Sequence, residues 1–295
     1  LAQIRIRVAR HAAFYSPLLA TIGAGFLAAE GLEPTYTIAT PENTVPGGLG
    51  DGTTHVGQLA VSASWDLLEQ GRTPHFMHFA QINERDGFFL LSREPDPDFR
   101  WEKLCAKRVL VDHLGQPLAM FKYAAQKMGV DFADIEAVDA GEPNEMDAAF
   151  RGGEGDYIHQ QGPAPQQLAR DGIGQVVAAV GEVIGPVAFS SLVATPEWLA
   201  SDMAAAFMRA YRNGRRYVNE TPPAEIAAAE RDFFPGIDED VLGESIGIYQ
   251  SLGCWNPDVQ ISRPCYDAAL TVFQTSGGIK HDHPYESVVA APPDV

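Results

Sequence analysis

The feature that most constrains this chain is an order of parts that occurs twice. VARHAAFYSPLLATIGAGFLAAEG (8–31) and VLVDHLGQPLAMFKYAAQKMG (109–129) each run strand, His-containing loop, Pro-opened helix and terminal Gly. Pro suits a first helical turn because no amide partner is needed there, and Gly suits the end because it tolerates a left-handed turn. GDGTTHVGQLAVSASWDLLEQG (50–71) parallels GEGDYIHQQGPAPQQLARDG (153–172), and FFLLSREPDPDF (88–99) parallels FSSLVATPEWLA (189–200). Any one match is ordinary strand–helix alternation. Three in the same order point to two similar lobes.

The rest of the chain continues this grammar. Ile4, Ile6 and Val8 alternate with Arg5, Arg7 and Ala9 as a strand, and Ser16-Pro17 opens the first helix, with Ser16 in the capping position. Further strands are expected over 33–39, 54–59, 74–82, 88–92, 107–111, 136–139, 155–159 and 176–180. The Pro- and Gly-rich stretch 41–52 allows no more than a short helical turn. The class is α/β, each lobe a mostly parallel sheet flanked by helices. The second lobe, 87–187, is inserted in the first, 1–86 and 188–295, entered near Asp86-Gly87 and left near Gly185-Pro186. Two crossing strands make a hinge, and a hinge between lobes makes a closable cleft. From Met203 the chain reads mainly helical, and the tail from Lys280 reads as a loosely packed strap, with its His281 to His283 run solvated.

Hydrophobic residues make up 45% of 295, ample for two cores at roughly 150 residues each. No apolar run approaches the roughly 20 residues a bilayer crossing needs, so direct membrane insertion is not expected. A net charge of −18 repels phosphates, which sets nucleic acid aside as a partner. A small anion is not excluded, since a local site can oppose the global field. Cys105, Cys254 and Cys265 form no CxxC pair, and Cys254 and Cys265 either pair or stay as buried thiols. Leu1 in place of Met agrees with a processed or trimmed chain, from which a signal peptide could have been removed. No P-loop, nucleophile elbow, HExxH or dinucleotide fingerprint occurs, and no cofactor is called for.

HAAFYSPLLATIGAGFLAAEGLEP, the GDGTTHVGQLAVSASWDLLEQG module, AAAFMRAYRNGRRYV and IDEDVLGESIGIYQSLGCW together resemble the type 2 periplasmic binding proteins. The branch resembled is that of the alkanesulfonate-binding and thiamine-pyrimidine-precursor proteins. The resemblance implies the two-lobed fold of that family. It also implies a receptor that closes on a small molecule and delivers it to an ABC permease, in the periplasm or otherwise outside the cytoplasm. Fungal pyrimidine synthases of this branch carry a cysteine-rich CCCFC motif and use iron; the cysteines here are isolated.

In such a fold the ligand lies at the carboxyl ends of the strands. Four loops are then expected to face the cleft, two from each lobe. The first, 10–16, offers Arg10 and His11 for polar contacts and Phe14 and Tyr15 for stacking. In the second, 60–64, Ser62 and Ser64 can donate to an anion, or Ser64 can cap the following helix, with Trp65 beside them. The third, 112–116, offers Asp112 for a cationic group, with His113 and Gln116. The fourth, 159–163, offers His159, Gln160 and Gln161; since side chains alternate, one glutamine is expected to point inward. His11, His113 and His159 could meet on closure as a metal or acid–base site, though neutral histidines lining a wet cleft explain them as well.

The expected function is solute binding, with an aromatic, heterocyclic, sulfonate or carboxylate ligand. The mixture of His, Tyr, Ser and Gln leans toward a heterocycle or aromatic acid. The alternative is a cytoplasmic enzyme on the same scaffold, a pyrimidine-precursor synthase or decarboxylase-like activity drawing on the three histidines. A third reading is a sensing module that reports to a signalling partner.

Overall fold

Ile4, Ile6 and Val8 are fully buried while Arg5 and Arg7 lie on the opposite face, so β1 (Ala2–Val8) follows its alternation. In the computed structural model, which describes residues 1–294, β1 is followed by α1 (Ser16–Gly23), α2 (Phe26–Ala29), β2 (Leu32–Ile38), α3 (Val45–Gly50), β3 (Val56–Leu59), α4 (Ser62–Glu69) and β4 (Met77–Asn83). The chain then enters β5 (Phe88–Ser92), β6 (Arg108–Leu110), α5 (Gly115–Lys127), β7 (Glu136–Val138), α6 (Pro143–Arg151), β8 (Tyr157–Gln161), α7 (Ala164–Arg170), β9 (Gln175–Ala179) and α8 (Val180–Ile184). It returns through β10 (Ser190–Ala194) to α9 (Pro196–Leu199), α10 (Asp202–Glu220), α11 (Pro223–Glu230), α12 (Glu239–Leu252) and α13 (Arg263–Thr275).

Two five-stranded sheets result, ordered β2-β1-β3-β10-β4 and β7-β6-β8-β5-β9. In each, three parallel strands meet an antiparallel fourth, and the fifth restores the first direction. The three sequence matches fall on β1 and β6, β3 and β8, and β5 and β10, which hold equivalent positions. The antiparallel strand of each sheet lies beside a crossing segment: β5 follows the first crossing, 84–87, and β10 follows the second, 185–189. Gly87 is needed at the first crossing because a Cβ there would lie 2.3 Å from the Phe14 ring. Tyr249 fixes the same point, its hydroxyl donating to Gly87 O at 2.8 Å and accepting from Gly162 N–H at 2.7 Å.

The helices after β10 cover both halves. α10 packs on α1, α12 on α7, and α13 on α5. Asp238 N–H donates to Gln167 Oε1, and Arg170 pairs with Asp240, so the segment before α12 is tied to α7. The tail is packed more tightly than a loose strap. His78 N–H donates to Val288 O and Ala290 N–H donates to His78 O, which sets Val288 and Val289 beside β4 with both side chains buried. The His281 to His283 run is not simply solvated: His283 is buried, and Glu69 takes contacts from both imidazoles at 3.1 and 2.9 Å. All three cysteines are free, Cys254 and Cys265 as buried thiols. No helix among the described residues is long and apolar enough to cross a membrane.

Candidate ligand-binding cleft

Two residues past β1 stands Arg10, and two residues past β6 stands Asp112. Arg10 Nη2 donates to the two Asp112 carboxylate oxygens at 2.9 and 2.7 Å, and Nη1 donates to Glu142 Oε2 at 2.9 Å. The backbone of Arg10 is itself held from β3, where Gln58 Oε1 accepts from the N–H groups of Ala9 and Arg10 at 3.0 and 3.1 Å. Burial pushes the Asp112 carboxyl above its ordinary range, against the Arg10 charge and the Leu114 amide.

A cavity of about 1040 Å³ opens at these strand ends. The first half lines it with 9–12 and, from β2, Tyr36 to Ala39. The second half contributes Phe88, Asp112, residues of α6 including Asp147 and Arg151, and the run from His159 to Ala164. Residues 232–237 complete the wall. That is space for a drug-sized organic molecule.

His11 lines this cavity with both ring nitrogens occupied. Phe233 O can only accept, so the 2.8 Å contact places the proton on Nε2; Nδ1 then accepts from the Tyr36 hydroxyl at 2.9 Å. Burial lowers the His11 pKa, and the ring stacks on Phe234 with centroids 4.8 Å apart. Its physical role is to hold the 232–237 wall in place. His159 differs: it stacks on Phe88 with centroids 4.3 Å apart and packs against the tilted ring of Phe121 at 4.9 Å, and neither nitrogen has a partner. Burial, with a smaller repulsion from His113, pulls its pKa down to about 3. His113 lies outside the cavity lining and bonds Val111 O through Nδ1. Among the described residues no three His, Cys, Asp or Glu side chains are grouped to hold a metal ion, so the three histidines do not meet as a metal site.

Gln160 and Gln161 both line the cavity, not one alone, because Gln161 ends β8 where the chain turns into Gly162-Pro163. Gln160 Nε2 donates to Pro143 O and leaves Oε1 without a partner; Gln161 Nε2 donates to the Tyr15 hydroxyl. Phe14 and Tyr15 point inward instead of into the cavity. Phe14 packs on Phe189 and Tyr249, and Tyr15 is 2% exposed, so their stacking role is not seen.

The serine loop is also turned into the core. α4 begins at Ser62 itself, preceded by Val61, and Ser64 caps nothing: its Oγ contacts His78 Nε2 at 3.0 Å. Ser62 Oγ donates to Gln116 Oε1, and Gln116 Nε2 donates to Phe189 O, so both residues join the halves without lining the cavity. Trp65 is fully buried and donates to the Tyr266 hydroxyl. Ser16 is the first residue of α1, not its cap, because Ala13–Tyr15 forms a preceding 3₁₀ turn. Its hydroxyl, a single donor, has Ala13 O at 2.7 Å and Glu230 Oε2 at 2.8 Å as its acceptors.

Sequence reasoning missed Tyr36, Gln58, Glu142 and the 232–237 wall. The aromatic FFPG within a helical region was the available signal for the last; nothing local marks Glu142.

The family model NMT1/THI5 like matches residues 13–225. The Bacillus subtilis protein named "Putative binding protein YtlA" is 27% identical over 294 residues, 98% of this chain and 88% of its own. Two solved structures share the fold. The ligand binding component of an ABC-type import system from Staphylococcus aureus, with zinc bound, has TM-score 0.77 at 15% identity over 99% of this chain and 97% of its own. The periplasmic aliphatic sulphonate binding protein SsuA from Escherichia coli has TM-score 0.73 at 13% identity over 100% and 94%. The expected two-lobed periplasmic-binding-protein architecture is therefore the one present.

Proposed function

The chain belongs to the NMT1/THI5 like family, and on that premise we propose that it is the solute-binding component of an ABC-type importer, working outside the cytoplasm with a membrane permease as partner. The observation that carries this reading is the cavity of about 1040 Å³ at the facing strand ends of two sheets of the same strand order. Such a cavity has its two walls on separate bodies, so a bound molecule favours the closed arrangement and closure presents a surface to the permease. The lobes are 1–86 with 188–295 and 87–187, hinged at the two crossings.

The ligand is a small organic molecule with a flat or apolar part. Tyr36, Phe88, Phe233 and Phe234 give the wall its aromatic surface, and Arg10, Gln160 and Gln161 give it polar contacts. Asp112 and His159 complete the second half. An enzyme built on the three histidines has less support, because His11 is fully engaged by Tyr36 and Phe233 and His113 lies outside the lining.

Native mass spectrometry of the purified protein is expected to show a co-purifying organic molecule. Adding that molecule to stripped protein should raise the melting temperature, since a ligand selective for the folded state stabilises by mass action. No retained molecule, together with no compaction in small-angle scattering on addition of any tested solute, overturns the reading.

A further inference from the structure

The receptor reading leaves the charge of the solute open, and the inference that follows rests on it. Arg10 and Arg151 are the arginines of the cavity lining, against the carboxylates Asp112, Glu142, Asp147 and Asp232. Neither cation is free. Arg151 contacts Asp147 at 2.6 Å and Asp171 at 2.7 Å. The Arg10 side chain, 13% exposed, is held by Asp112, 6% exposed, and by Glu142, 72% exposed. An anion brought to the remaining side of this guanidinium meets one positive charge and two negative ones at close range, and that sum is repulsive. The net charge of −18 opposes the approach as well.

The same three residues join the two halves directly. Arg10 and Asp112 stand at equivalent places in the repeat, each two residues past its strand, and Glu142 precedes α6. A pair with both members largely removed from solvent is screened little by salt. It therefore acts as a fixed contact across the cleft.

We propose that Arg10, Asp112 and Glu142 form a latch that joins the two halves and bars anionic solutes, so that the site takes a neutral or cationic organic molecule. The sulfonate and carboxylate classes are then set aside. Asp112 and Glu142 determine charge specificity, and Arg10 positions them.

Calorimetric titration with methanesulfonate and with benzoate tests the charge selection. Wild type should give no binding heat up to millimolar anion. The double variant Asp112→Asn with Glu142→Gln, whose Arg10 is freed, should bind at least one of them about tenfold more tightly or better. Anion binding by wild type that Arg10→Ala removes overturns the proposal, and so does a folded double variant that gains none. If the double variant fails to fold, Glu142→Gln alone serves, since that side chain is exposed; it should show a smaller gain, and no gain overturns the proposal. Scattering of ligand-free Arg10→Ala should show a larger radius of gyration than wild type, and an unchanged radius removes the latch. These outcomes read the two carboxylates and not the natural solute. Failure of the receptor reading shows instead as no retained molecule and no compaction.

Discussion

The two halves repeat one order of strands, yet their cleft loops are used differently. After β1 and β6 the loops are complementary, Arg10 against Asp112, so equivalent positions of the repeat carry opposite charges. After β3 and β8 they diverge. Beyond β3 two residues lead into α4, Ser62, Ser64 and Trp65 are buried, and the loop seals the core. Beyond β8 the strand runs on through Gln160 and Gln161, and this loop lines the cavity. Both loops are two residues long, 60–61 and 162–163, so the backbone plan alone does not say which one meets a solute; the direction of the flanking side chains decides it.

The sharpest break of this comparison is Arg10→Ala. It leaves Asp112 buried without its counter-charge, for which a loss of about 3 kcal/mol is the expected scale. Urea unfolding measures it, and a loss below about 1 kcal/mol would mean that the carboxyl finds water or a proton without structural consequence. Next come the paired histidines. His11→Ala removes two hydrogen bonds and the stack on Phe234, at about 2 kcal/mol. His113→Ala, at the equivalent position, removes one backbone contact from a half-buried ring and should cost less than about 1 kcal/mol. Equal losses would show that the two loops are mechanically alike after all.

Much of this plan was legible in the sequence because strand order follows periodicity and punctuation. The alternation of Ile4, Ile6 and Val8, the Pro and Gly marks and the three matched blocks sufficed to place equivalent strands. Arg10, His11, Asp112 and His159 line the cavity, and so do both glutamines of 160–161, where only one was expected to point inward. Ser16, Ser62 and Ser64 were misplaced for one physical reason: the helices begin earlier than the sequence suggests, by one residue at Ser16 and by three at Trp65, and this turns a capping or cleft-facing hydroxyl into a core one. Trp65 followed Ser64 inward. Tyr36, Glu142 and Phe233 reach the cavity from segments distant in sequence, and only the folded chain brings them there.

The pH-dependent effect concerns the joint between the halves instead of their loops. Asp86 lies at the first crossing, 1% exposed, with one carboxylate oxygen accepting from Phe88 N–H at 2.7 Å and the other without a partner. Burial pushes its pKa up to about 8, from 3.8, against the Phe88 amide. The folded state therefore keeps a proton that the unfolded chain gives up. Stability from this group is fully present below the unfolded pKa and is lost as pH rises toward about 8. Asp86→Asn keeps the acceptor for Phe88 and removes the titration. Its stability relative to wild type should grow between pH 5 and pH 8 by about 3 kcal/mol, since over most of that range only the unfolded state titrates, at about 1.4 kcal/mol per pH unit. Urea midpoints at the two pH values decide it. A difference that stays constant would mean that the crossing opens enough to hydrate Asp86, and the joint would then be as adaptable as the loops it connects.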